Sequence, residues 1–139
     1  MNAKEYLSQA FWLDQRINSK LEQLESLRCL ATKVTTNLSH EKVSCGNDVT
    51  KIRETTIVKI IDLENEIDDD IDKLVDLKAD IMETISQVDE PICQLLLELR
   101  YINGKTWEEV ASVLGIDIRT AFRLHGKSLN EIEHIKNCQ

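Results

Sequence analysis

Apolar or small side chains recur at Tyr6, Ala10, Leu13, Ile17, Leu21, Leu24, Leu27 and Ala31, in steps of three and four residues. That spacing lines one face of an α-helix and predicts a helix from residue 3 to about 31. Phe11 and Trp12 add bulk near its start and are expected to pack into the core, with a partner-binding patch as the alternative. The pattern then stops. Residues 32 to about 50, TKVTTNLSHEKVSCGNDVT, cluster Ser, Thr and Asn, and Gly46-Asn47 is a turn signal, so a loop is expected there. The stripe resumes at Ile57, Ile60, Leu63, Ile67, Ile71, Leu74, Leu77, Ile81, Ile85 and Val88. A helix over residues 51–88 would be about 57 Å long at 1.5 Å per residue. The two stripes can bury against each other as an antiparallel hairpin. The longer one has apolar positions left over, which a second copy of the chain or the C-terminal part would cover. A homodimer through the N-terminal helices is the expectation.

Asp89-Glu90-Pro91 interrupts the pattern, and proline is well placed to begin a new helix. Ile92, Leu95, Leu96, Leu99 and Ile102 give that helix a stripe, and Asn103-Gly104 ends it. A domain boundary is therefore expected near residue 89. Residues 1–89 form the helical hairpin, and residues 90–139 a small helical domain.

Within the second part, KTWEEVASVLGIDIRTAFRLHGKSL, from Lys105 to Leu129, carries the most specific signal. Thr106 and Glu109 fit a capping box, and a short helix follows to Leu114. Gly115 stands where a tight turn needs positive φ. Asp117 is a good N-cap for a second helix. Val110, Leu114, Ile116, Ala121 and Leu124 take the buried positions, and small Ala111 lets the two helices approach. The exposed face of the second helix then presents Arg119, Thr120, Phe122, Arg123 and Lys127. This is a helix-turn-helix pattern, in which the second helix enters the major groove of duplex DNA. Arginine can meet guanine through two hydrogen bonds, threonine a thymine methyl, and lysine a phosphate. The competing reading is a structural corner in a helical bundle.

Charge changes the weight of these readings. The chain carries a net charge of −8, which argues at first against a nucleic-acid partner. Residues 1–90 hold all of that excess, and residues 91–139 balance six bases with six acids. From Ile118 to Leu129 there are three bases and no acid, a local exclusion of carboxylates that suits a polyanion. Asp68, Asp69, Asp70, Asp72, Asp76 and Asp80 crowd the long helix. Adjacent positions on a helix point apart, so these are expected as a solvated acidic face and not as a metal site. Gly126, inside the last helix, costs about 1 kcal/mol relative to alanine and marks either a close approach by phosphate or another helix, or a mild kink. His125 and His134 are expected at surface or packing positions.

Catalysis finds no support. No nucleophile–base pair, phosphate loop or ligand cluster appears. Cys29, Cys45, Cys93 and Cys138 are far apart and form no zinc-type pair, and His40 with Cys45 lacks a second pair. Free thiols in a reducing cytosol, no metal and no cofactor are expected. No signal peptide and no apolar run long enough to span a bilayer are found, so the expected location is cytoplasmic, away from the membrane.

The stretch EPICQLLLELRYINGKTWEEVASVLGIDIRTAFRLHGKSL resembles region 4 of sigma factors, the part that reads the −35 promoter element. The matching pieces are Leu97–Tyr101, the K-T-W-E-E-V-A segment, L-G-I, and R-T-x-x-R-L-H-G-K-x-L. With the N-terminal AKEYLSQA-WLDQRI and IVKIIDLENEID, the chain resembles phage and prophage transcriptional regulators that carry a helical region before such a domain. The resemblance implies an all-α fold and DNA-facing positions at Arg119, Thr120, Phe122 and Arg123. Ala121 and Phe122 depart from the larger aliphatic and the polar residue more usual there, and no sigma region 2 is present, so promoter melting is not implied. The expectation is sequence-specific promoter binding in a phage or mobile-element setting, acting with host RNA polymerase. Lys127 and Lys105 would hold phosphates. The alternative is an interaction module whose acidic helices bind a basic partner.

Overall fold

A computed structural model describes the backbone of residues 1–40 and 46–139 and the side chains of residues 1–33 and 51–139. Among the described residues the chain is all-helical: α1 (Ala3–His40), α2 (Gly46–Ser86), α3 (Pro91–Leu97), α4 (Trp107–Leu114) and α5 (Ile118–Asn137). A π-helical turn, Glu98–Ile102, continues α3. No helix among the described residues is long and apolar enough to cross a membrane.

The first two helices are longer than the expected 3–31 and 51–88 pattern at their facing ends, and much of the expected 32–50 loop is helical. The polar cluster does not have to break a helix, because threonine can return its hydroxyl to the backbone one turn earlier. Thr32 donates to the Arg28 carbonyl at 3.0 Å, and Thr56 does the same to Ile52. Gly46-Asn47 opens α2 and is not a free turn. The metal reading at His40 and Cys45 concerns side chains outside the described residues.

The chain divides into two compact units. One comprises Gln15–Asp72; the other joins Met1–Asp14 to Lys73–Gln139. In the first, Ile17, Leu24 and Ile67 are buried. Leu21 and Ile71, expected in the stripe, are 44% and 41% exposed. Their charged neighbours Lys20 and Asp70 take the inner positions and pair at 2.6 Å. The Lys20 stem covers apolar surface while its ammonium finds a carboxylate, and that hydrogen bond raises the Lys20 pKa. Asp70 is therefore a buried ion-pair partner, not part of a solvated acidic face. Lys20 also reaches Glu66 at 3.6 Å, and Arg28 meets Glu64 at 2.7 Å. Partners of rising number on α1 thus have falling number on α2.

The second unit has a continuous core. Ala3, Tyr6, Leu7 and Ala10 meet Ile81, Ile85 and Val88, together with Cys93, Leu96, Leu97, Leu99, Tyr101, Val110 and Ile132. This core takes in more than residues 90–139, because the start of α1 and the end of α2 complete it. Tyr6 ties the two together through hydrogen bonds to Asp80 and Thr84, so Asp80 too has a structural partner. Phe11 and Trp12 are corrected from core to surface. They are 46% and 67% exposed and stack edge to face on each other. Their positions flank the buried Tyr6–Leu7–Ala10 arc and do not lie on it.

Candidate functional site

The corner between α4 and α5 is built from local chemistry that the residues dictate. The Thr106 hydroxyl accepts from the Glu109 amide, and the Glu109 carboxylate accepts from the Thr106 amide, both at 3.2 Å. This reciprocal cap satisfies two amide donors that the first turn would leave unpaired. At the other end Gly115 adopts φ +68°, and the Ile116 amide reaches back to the Ala111 carbonyl at 3.0 Å. A residue with a Cβ is strained in that left-handed region. Asp117 then starts α5, its carboxylate accepting from the Thr120 amide at 2.8 Å. Hydrogen bonding from the Thr120 side chain, and next from its amide, holds the Asp117 carboxyl below its ordinary pKa.

Ala121, Ser128 and Ile132 fix the inner side of α5. Val110 and Ala111 face inward from α4, with Leu114 and Leu124 partly buried against the same core. Ala121 is fully buried, and its small side chain suits a site where α5 lies close to α4. The outer side of α5 presents Arg119, Phe122, Arg123 and Lys127, all exposed, whereas Thr120 is half-buried. Lys105 is exposed on the connection before α4, with its amide bound to Leu99 and its carbonyl to Arg100. The six residues singled out by sequence thus divide. Arg119 and Arg123 have no ion-pair partner among the described residues. Lys127 forms a close ion pair with Glu90. Phe122 packs edge-on against Trp107, with ring centroids 5.1 Å apart.

That contact belongs to an aromatic cluster. Trp107 also meets His125 at 4.7 Å between centroids, and Tyr101 stacks on His125 at 5.8 Å. The Tyr101 hydroxyl and His125 Nε2 are 2.6 Å apart. Burial pushes the His125 pKa down to about 4, with Lys4 and Arg100 adding positive charge nearby, and pushes the Tyr101 phenol up to about 12. At neutral pH this hydrogen bond joins a protonated phenol to a neutral imidazole. Arg100 lies over the Trp107 ring, 4.8 Å from its centroid, while its Nη1 donates to the Lys105 carbonyl at 2.9 Å. The π-helical turn brings these groups together: the Asn103 amide reaches the Glu98 carbonyl, and Gly104 at φ +68° turns the chain toward α4. Sequence reasoning singled out neither Arg100 nor Tyr101 as a site residue and gave His125 no partner. Tyr101 and His125 are separated by 24 positions, and helical periodicity reports only neighbours within a turn or two.

Gly126 is exposed, and a Cβ added there would meet nothing within 4 Å. No other helix of the described residues approaches it. Cys29, Cys93 and Cys138 are free thiols, and no group of three metal-ligating side chains occurs among the described residues. Comparison with protein-family models, curated proteins and solved structures found no match to this chain.

Proposed function

We propose that the protein is a sequence-specific DNA-binding transcriptional regulator of phage or mobile-element genes, built as a long antiparallel helical hairpin followed by a trihelical helix-turn-helix domain. The observation that carries this reading is the outer face of α5: Arg119, Phe122 and Arg123 stand exposed beyond a capped, glycine-turned corner, with no carboxylate from Ile118 to Leu129. Arg119 lies in the first turn of α5, where a reading helix meets base edges. Arg123 is one turn on, on the same side. Thr120 is half-buried, and its hydroxyl is engaged by Asp117, which leaves its methyl for a base contact. Phe122 is held by Trp107 and presents an apolar edge. Lys105 and Lys127 would meet phosphates. Lys127 must first leave Glu90, a solvent-screened pair that contributes little. The sigma-region-4 resemblance supports action together with host RNA polymerase.

The test is binding of purified protein to selected and random duplexes across a salt series. Affinity should fall steeply with salt as counterions leave the phosphates. Arg119→Ala should cost about 1–3 kcal/mol on the selected site and less on random DNA. Lys127→Ala should weaken both DNAs alike and reduce the salt slope by about one. Unchanged affinity in both variants, with folding intact, would remove the reading-helix assignment. It would favour a second reading, in which the exposed Asp68, Asp69, Asp72 and Asp76 of α2 serve a basic protein partner.

A further inference from the structure

The unit Gln15–Asp72 leaves more aliphatic surface in water than two paired helices need to. On α2, Ile57, Ile61 and Ile71 are 43%, 50% and 41% exposed. At ~100° per residue they fall within about 80° of one another. The face that α2 turns inward, with Ile67 and Asp70 buried and Ile60 and Leu63 half-buried, lies beside this arc and not on it. Arg53, Glu64 and Asp68 share this arc, so it mixes isoleucines with charges, a pattern suited to meeting a second helix; within this unit α1 covers only the inward face.

Charge identifies that second helix. From Lys51 to Ile60, α2 carries Lys51, Arg53 and Lys59 against one acid, Glu54. From Ile61 to Asp72 it carries seven acids and no base. Glu64, Glu66 and Asp70 are engaged by Arg28 and Lys20. Asp62, Asp68, Asp69 and Asp72 are exposed and have no cation within 4 Å among the described residues, and Lys51, Arg53 and Lys59 have no carboxylate. A uniformly basic partner would be attracted by one half of this segment and repelled by the other. A parallel second copy would set acid on acid. An antiparallel second copy sets each basic half on an acidic half, twice, about a two-fold axis, which is the self-complementarity an isologous interface requires.

We infer that the Lys51–Asp72 segment of α2 is a homodimer interface, with the α2 helices of two copies running antiparallel, Ile57 and Ile61 near its middle and Ile71 toward its end. This does not rest on DNA binding and is tested apart from it. The experiment is sedimentation equilibrium of the full chain from one to one hundred micromolar (roughly the range that brackets ordinary dimer constants), with helicity followed by circular dichroism. Wild type should show a reversible monomer–dimer equilibrium that weakens with salt. Ile57→Asn/Ile61→Asn should raise the dissociation constant at least tenfold. Should that variant lose helicity, Lys51→Glu/Arg53→Glu/Lys59→Glu, confined to exposed positions, replaces it and should have the same effect. Adding Asp68→Lys/Asp69→Lys/Asp72→Lys to that triple variant exchanges the two charges and should restore the dimer. A wild type monomeric throughout the range would overturn the inference. So would a dimer indifferent to these substitutions, or one that the charge exchange fails to restore.

Discussion

Titration of His125 should set the acid side of this protein's stability curve. The ring is half-buried among Trp107 and Tyr101 and shares a hydrogen bond with the Tyr101 hydroxyl. Burial, with Lys4 and Arg100 nearby, lowers its pKa from 6.5 to about 4. Between those values the unfolded chain binds a proton that the folded chain does not, so stability rises with pH across that window. The contribution is complete above pH 6.5 and disappears as pH falls toward 4. A fully desolvated ring would place it at ~3 kcal/mol. Because the ring keeps part of its hydration, screening reduces this to about 1–2 kcal/mol. The assay is urea unfolding at half-unit steps from pH 4 to pH 8, comparing wild type with His125→Gln, whose amide can still hydrogen-bond Tyr101. Wild type should gain about 1–2 kcal/mol over this range in excess of the variant. The depressed Asp117 and Glu90 carboxyls contribute stability that is present above the ordinary carboxylate range and lost below it, so both proteins share that lower limb. Identical slopes from pH 4.5 to 6.5 would refute the neutral, desolvated imidazole.

The remaining expectations concern the corner and the alkaline limb. Tyr101, with its phenol pushed up to about 12, should contribute stability that is complete below pH 10 and lost as pH rises toward 12; Tyr101→Phe should flatten that limb in the same unfolding assay. Two glycines should respond with opposite sign. Gly126→Ala, in open space, should stabilise by about 0.4–1 kcal/mol, whereas Gly115→Ala, at φ +68°, should destabilise by about 1–2 kcal/mol. Equal thermal shifts for the two would contradict the turn geometry. Leu114→Ala removes a partly buried side chain packed on the core and should cost about 2 kcal/mol, the low end for such a truncation. The start of α1 and the end of α2 share that core, so they should lose structure in the same transition as α5, and an unchanged melting midpoint would place Leu114 outside it.

What the sequence settled by itself was what neighbouring residues settle among themselves. The Thr106–Glu109 cap, the left-handed Gly115 and the Asp117 cap each involve groups within a few positions, and each stands as the residue types imply. The all-helical class follows from apolar spacing alone. Tertiary structure decided which members of a periodic set are actually buried. Leu21 and Ile71 fit the stripe, yet Lys20 and Asp70 beside them take the inner places, because a charged pair can satisfy itself across two helices in a way that neither residue reveals alone. Phe11 and Trp12 look like core by composition, but the arc that α1 buries passes beside them. Tyr101, His125, Trp107 and Arg100 meet only because a π-helical turn and Gly104 redirect the chain between α3 and α4. Contacts across such separations depend on where whole helices come to rest, which periodicity within a single helix does not encode.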